Sequence, residues 1–257
     1  MRLLQADPLL PGGAGLSGDP SLAERLARIR GRIEDACQRA GRPVAGVTLV
    51  GASKTQAAAA LAEALAAGLT VFGENRVQEG LTKSRELGPD VAGRMEWHLI
   101  GPLQSNKVRA ALDLFRTIHS IDRLSIAEAI DREAAKRGIT VTGLLEINLG
   151  AEETKHGFPI DGLAEAILPL AGLQHLRIAG LMAIPPLGRA AEESRPWFRR
   201  LRALRDELAT RPEWAGFPGW LSMGMSDDFA VAVEEGATHV RVGTALFGPR
   251  RAPVPDR

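Results

Sequence analysis

The chain has 257 residues, 45% apolar and 25% charged, with a formal net charge of +1. That balance is ordinary for a globular protein and argues against nucleic acid or an anionic membrane surface as the main partner. A single cysteine, Cys37, excludes an internal disulfide framework and fits a reducing cytoplasm.

No apolar run approaches the roughly 18 residues of a membrane span. The N-terminus has only Arg2 before a Gly- and Pro-rich stretch, unlike a secretory signal. A cytoplasmic protein is expected. Residues 1–20 show no period and read as a disordered tail.

Ser21–Glu24 is a capping-box pattern, and Leu22, Leu26, Ile29, Ile33 and Cys37 recur behind it at helical spacing. An N-terminal helix is predicted there, ended by Gly41 and Pro43. A strand–helix beat follows. Strands are predicted at 47–52, 69–72, 97–100, 115–121, 141–149, 176–184, 220–223 and 239–242. Helices are predicted at 57–67, 75–87, 104–112, 123–137, 160–171, 191–209 and 227–235. Continuous apolar strands alternating with amphipathic helices predict a parallel sheet covered on its outer face. Eight units in this length predict a closed (β/α)8 TIM barrel over residues 21–250, with the N-terminal helix as an extra and 251–257 as a tail.

In such a barrel the chemistry lies at the C-terminal ends of the strands, and phosphate is usually held after the seventh and eighth. Here those ends are Leu221–Asp228 and His239–Thr244, apolar runs that break into glycine and hydroxyl residues. Small residues let the backbone approach a ligand, and open amides supply donors to a phosphate.

Lys54 directly follows the first strand. Desolvation and a neighbouring cation such as Arg241 would free its amine as a nucleophile for a carbonyl; the plainer reading is a lysine snorkelling to the rim. With a phosphate cradle across the same mouth, the candidate ligands are pyridoxal 5′-phosphate and a sugar-phosphate substrate of an aldolase. Arg241 lies mid-strand, where a charge needs a partner or a ligand. It could face a pyridine nitrogen and keep it unprotonated, or it could sit in an internal salt bridge.

Several stretches match a known family: Ala52–Thr55, Phe72–Asn75, Val77–Glu79, Trp97-His98, Ile100–Lys107, Gly180–Ile184, Leu221–Asp228 and Arg241–Gly248. Over nearly all of residues 21–250 the chain resembles the pyridoxal phosphate homeostasis protein family. The resemblance implies the barrel of the fold-type III pyridoxal phosphate proteins, and cofactor binding without an established reaction. It makes Lys54 the lysine in aldimine linkage and puts Asn75 near the ring substituents. Ser222, Gly224, Gly243 and Thr244 would hold the phosphate, Arg241 would face the pyridine nitrogen, and Met182 and Met223 would pack beside the ring. The chain departs from the family at Arg76, where a Tyr is common, at Gln56-Ala57 after Lys54-Thr55, where Lys-Pro is often found, and around Lys155, where the usual Ser-Lys-x-Gly becomes Thr154-Lys155-His156-Gly157. These bear on secondary lysine contacts.

A racemase on this barrel would need a second base, typically a Tyr from another subunit, and an added β-domain. The chain has no Tyr, leaving His98 or Lys155 as substitutes. A Schiff-base aldolase would leave Arg241 unused. The expected function is a cytoplasmic, monomeric carrier of pyridoxal phosphate in vitamin B6 homeostasis, with apo-enzymes as partners. His98 and His119 read as acid/base groups at the mouth or as hydrogen-bonded rim residues. Asp227 and Asp228 read as helix caps in preference to metal ligands. Arg195, Arg199, Arg200, Arg202 and Arg205 read as a solvated basic face.

Overall fold

The computed structural model of the chain describes residues 19–150, 156–186 and 190–249. The tail at 251–257, all but Asp19 and Pro20 of the tail at 1–20, and Lys155 lie outside them.

Helix α1 (Leu22–Arg39) starts at the capping box: Ser21 Oγ accepts the Glu24 N–H, and the Glu24 carboxylate accepts the Ser21 N–H. Its stripe of Leu22, Leu26, Ile29, Ile33 and Cys37 is buried. Burial pushes the Cys37 thiol up, so this cysteine is packing, not a reactive thiolate.

The chain then alternates: β1 (Thr48–Ala52), α2 (Ala58–Ala66), β2 (Val71–Glu74), α3 (Val77–Leu87), α4 (Pro89–Ala92), β3 (Glu96–Leu99), α5 (Val108–Ala111), β4 (Thr117–Ile121), α6 (Leu124–Arg137), β5 (Val141–Asn148), β6 (Phe158–Pro159), α7 (Leu163–Ala171), β7 (Leu176–Met182), α8 (Arg195–Ala209), β8 (Trp220–Ser222), α9 (Phe229–Glu234), β9 (His239–Val242) and α10 (Thr244–Phe247). The strand order is β4-β3-β2-β1-β9-β8-β7-β5-β6, with a further β4–β5 pairing. Setting aside β6, a two-residue addition to the end of β5, eight parallel strands close on themselves as expected.

Residue alternation along the strands sorts two cores. Phe72, Leu99, Ile118, Leu145, Leu221 and Val240 join the helix-facing core, whereas Val50, Ala52, Val71 and Ile100 form a separate cluster inside the barrel. Helix α1 packs on α9 and α10. Those two helices are short, and α1 completes the cover over the β1–β9 side.

Two expected helices shrink. The one at 104–112 becomes a 3₁₀ turn over Ser105–Lys107 followed by the four-residue α5, because Ser105 and Asn106 favour local turns over a helix interior. The one at 227–235 begins only at Phe229. The Asp228 carboxylate bonds back to the Met225 N–H at 2.7 Å and makes no forward cap bond. Among the described residues no helix is long and apolar enough to cross a membrane, and no cluster of metal-ligating side chains occurs.

Candidate functional site

Strands β1 and β9 are neighbours, with Gly51 opposite Val242. The loops that follow them, carrying Lys54 and Gly243-Thr244, therefore rise side by side at the C-terminal end of the barrel.

The Lys54 loop is tethered on both sides of the lysine. Ser53 is fully buried; its N–H donates to the Gly73 carbonyl, its hydroxyl donates to Glu74 Oε1 at 2.6 Å, and its carbonyl accepts Lys83 Nζ at 2.7 Å. Thr55 has φ +64°, a left-handed conformation that a β-branched residue rarely adopts. Its N–H donates to Glu79 Oε1 at 2.5 Å. Lys83 Nζ joins the two carboxylates, 2.8 Å from Glu74 Oε1 and 2.6 Å from Glu79 Oε1. Burial pushes the Glu74 carboxyl up, and the hydrogen bonds from Lys83 and Ser53 oppose that rise. Half-buried Lys54 is thus presented by a backbone hydrogen-bonded on both sides of it.

On the β9 side, the N–H groups of Gly243 and Ala245 converge on the Ser226 hydroxyl, at 3.3 and 3.2 Å. Gly243 has φ −109°, and a Cβ built there would meet only ordinary contacts, Ala52 O at 3.4 Å and Ala52 Cβ at 3.6 Å. Its ψ of −84° lies outside the usual αR and β wells, a conformation that glycine adopts easily, and the bare Cα leaves the backbone open to a ligand. Gly224 differs: it has φ +88°, and a Cβ would lie 2.5 Å from the Ala232 Cβ. Its glycine serves the turn, and its carbonyl accepts the Arg241 N–H at 3.0 Å.

Arg241 is buried inside the barrel. Nη1 donates to Ser222 Oγ at 2.6 Å and Nη2 to the Ala183 carbonyl at 3.1 Å. Burial lowers its pKa to about 10, opposed by Glu146 and Asp228, so it stays charged at neutral pH. Both contacts are to neutral groups, so the internal salt bridge is not what holds it. Met182 lies opposite Ser222 on β7. Beside these residues a cavity of about 250 Å³ is lined by Asn75, Ile100, Glu146, Asn148 and His156, among others. Burial pushes the Glu146 carboxyl up, aided by Asp122 and opposed by Arg241 and His156.

Lys54, Asn75, Met182, Gly224, Arg241, Gly243 and Thr244 thus gather at one end of the barrel. Two residues take other positions. Alternation turns Met223 outward into the helix-facing core, where it is fully buried. Ser222 is also fully buried, committed to Arg241 and, at 2.8 Å, to His119 Nδ1; the hydroxyl at the Gly243 and Ala245 amides is that of Ser226. His98 and His119 are not at the mouth. They lie buried inside the barrel, within their strands. Lys83, Glu79 and Glu146 are also missing from the expected set. Glu146 carries a sequence signal, a charge within the apolar run 141–149, and Glu79 ends the Val77–Glu79 stretch; Lys83 carries none.

The family model for the alanine racemase N-terminal domain matches residues 25–251. A protein of Aquifex aeolicus named pyridoxal phosphate homeostasis protein is 47% identical over 228 residues, covering 89% of this chain and 98% of its own length. A Pseudomonas aeruginosa protein of the same name is 43% identical over 232 residues, covering 90% of this chain and 96% of its own. The structure of PipY from Synechococcus elongatus with pyridoxal phosphate bound superposes with a TM-score of 0.78 at 41% identity, covering 89% of this chain and 100% of that one.

Proposed function

This chain belongs to the family of pyridoxal phosphate homeostasis proteins, and on that premise we propose that it binds pyridoxal 5′-phosphate reversibly and acts as a carrier, not as an enzyme. The observation that carries the reading is the pairing of two loops across β1 and β9. One presents the Lys54 amine from a tethered backbone; the other aims the Gly243 and Ala245 N–H groups at a single point.

The residues fit the group. Gly243, Thr244, Ala245 and Ser226 would hold the phosphate, because backbone donors and a bare Cα favour an anion there. Lys54 would supply the amine for covalent attachment, and Asn75 would flank the ring. When bound, the cofactor supplies an electrophilic aldehyde and an electron-withdrawing ring. Arg241, still cationic at pH 7, would donate to the ring nitrogen and keep it unprotonated, which weakens that electron sink.

The absence of turnover is supported by what surrounds the site. The sequence contains no Tyr to act as a second base. His98 is buried between Glu96 and His119, 2.8 and 2.9 Å away, and cannot reach a substrate at the mouth. Residues 21–250 would form the binding unit. A cytoplasmic monomer that passes cofactor to apo-enzymes fits an activity that consists of binding and release.

A racemase-like enzyme is the competing reading, since the family model is that of a racemase domain and Glu146 is a carboxyl kept protonated more readily than usual beside Arg241. Incubation of the loaded protein with L-amino acids in deuterated water, followed by NMR of the α-proton, separates the two. The carrier reading requires exchange no faster than with free pyridoxal phosphate. Faster exchange that vanishes in Lys54→Ala would make the protein an enzyme.

A further inference from the structure

The lower interior of the barrel, where apolar layers are usual, instead carries a row of polar side chains. It starts at Glu96, the first residue of β3, whose side chain is 62% exposed. Oε1 of Glu96 lies 2.8 Å from His98 Nε2. His98 Nδ1 lies 2.9 Å from His119 Nε2. His119 Nδ1 lies 2.8 Å from Ser222 Oγ, which accepts from Arg241 Nη1 at 2.6 Å. The row runs unbroken from the N-terminal rim of the barrel to the guanidinium at its functional end.

Its proton arrangement is determined by its two ends. Arg241 can only donate, and an ionised carboxylate can only accept. The hydrogen bond from His98 holds Glu96 below the usual carboxylate range, so it is an acceptor at neutral pH. Glu96–His98, His98–His119, His119–Ser222 and Ser222–Arg241 make four junctions. One N–H from each imidazole, the Ser222 O–H and one Arg241 N–H fill them, provided that both rings are neutral. Burial drives His119 well below its ordinary value, which is the state this count requires.

Only one tautomer then satisfies every junction. His98 and His119 both carry the proton on Nε2, Ser222 gives its proton to His119, and its lone pairs face Arg241. His239, whose ring centroid lies 5.6 Å from that of His119, has its Nδ1 at Thr238 Oγ1 and stays outside the row.

We propose that Glu96 is a positioning residue for Arg241, acting through the tautomers of His98 and His119 to fix the direction of the Ser222 hydroxyl on which the guanidinium rests. Its consequence for ligand rests on the reading that Arg241 faces the ring nitrogen of the bound cofactor. If the row reversed, His119 would donate to Ser222, whose second lone pair would still accept from Arg241 but whose O–H would lose its acceptor in a buried space. The hydroxyl would have to turn toward another acceptor, and the guanidinium resting on it would shift.

The test uses the full chain without cofactor, labelled with ¹⁵N at histidine and arginine. Two-bond ¹H–¹⁵N correlations report each ring's tautomer, and the Arg241 side-chain resonances report its seat. Wild type should show Nε2–H on His98 and His119. Glu96→Lys, which replaces an exposed acceptor with a donor, should move both rings to Nδ1–H and shift the Arg241 resonances. Glu96→Gln, which keeps a carbonyl acceptor, should retain the wild-type pattern.

A charged or Nδ1–H ring in wild type would overturn the proposal. So would unchanged tautomers in Glu96→Lys, or switched tautomers with Arg241 unmoved. A separate titration with pyridoxal phosphate should then show a displaced absorption maximum and at least a ~3-fold weaker affinity in Glu96→Lys. If Arg241 shifts in the apo protein but the cofactor spectrum and affinity do not, the row stands and the placement of Arg241 at the ring nitrogen falls.

Discussion

The amide of Thr55, the residue after Lys54, donates to Oε1 of Glu79 at 2.5 Å, and the same oxygen accepts Lys83 Nζ at 2.6 Å. One carboxylate oxygen therefore holds the loop that presents the lysine and is itself held by a buried ammonium. Lys83 also reaches Glu74 and the Ser53 carbonyl, so this cluster joins helix α3 to the end of β1.

Removing its centre should be costly. Lys83→Met would leave Glu74 buried without its counter-charge, a loss of ~3–5 kcal/mol by analogy with other broken buried pairs. Burial has already raised the Glu74 carboxyl above 4.5. The native state therefore binds that proton more tightly than the unfolded chain does. This group's contribution to stability is full below pH 4.5 and is lost as pH rises through the raised value. Lys83→Met removes a bond that opposes the rise, so its deficit relative to wild type should shrink at acid pH. Urea unfolding at pH 4.5 and pH 7.5 checks this; a deficit independent of pH would contradict it.

The interior histidines predict the opposite pH dependence. Burial lowers His239 to about 3 and His119 well below 6.5. Below pH 6.5 the unfolded chain takes up protons that these native rings refuse, so stability falls as pH falls toward the lowered values. Each ring contributes up to ~1.4 kcal/mol per pH unit. His239→Gln should flatten the slope near pH 5 by about one proton, measured by unfolding free energy against pH. An unchanged slope would mean that His239 titrates normally in the fold.

Two glycines should separate stability from binding. Gly224→Ala forces a side chain into a positive φ and against Ala232, and should destabilise the fold by ~1–3 kcal/mol. Gly243→Ala meets no clash and no positive φ, only a ψ outside the αR well, so unfolding should change by less than ~1 kcal/mol. Its methyl group would lie against Ala52, at the foot of the Lys54 loop, in the space where the cofactor is proposed to pass between the two loops, and affinity for pyridoxal phosphate should fall about tenfold or more, which corresponds to ~1.4 kcal/mol. Equilibrium dialysis against the cofactor reads this directly; full affinity in Gly243→Ala would remove the phosphate from that loop.

The two serines of the Leu221–Asp228 stretch make a matched pair. Ser226→Ala should weaken the phosphate contact while leaving the protein's stability nearly unchanged. Ser222→Ala would strip a buried Arg241 of its hydroxyl partner and cost ~1–3 kcal/mol of stability. Thermal unfolding alongside cofactor titration distinguishes the two serines; equal effects in both assays would contradict the separate placements.

The barrel was legible because each strand is an apolar run and each helix an amphipathic one. Lys54 and Arg241 stood out as charges where such runs predict none. What was not legible depends on register and facing. Ser222 and Ser226 lie four residues apart in one motif, and only the alternation along β8 and the turn at Gly224 decide which meets Arg241 and which meets the Gly243 amide. Met223 reads as a ring contact until the same alternation turns it toward the helices. Lys83 looks like any surface lysine of α3; it is buried because Glu74, at the end of β2, faces the same layer. His98 and His119 meet only because β3 and β4 are adjacent.

The central claim is that Lys54 is the point of attachment for pyridoxal phosphate. Loading the protein with the cofactor, reducing with borohydride and mapping peptides by mass spectrometry tests it most directly. A pyridoxyl group on Lys54, lost in Lys54→Ala, is the predicted result. A label confined to another lysine such as Lys155, or equal labelling in Lys54→Ala, would contradict it.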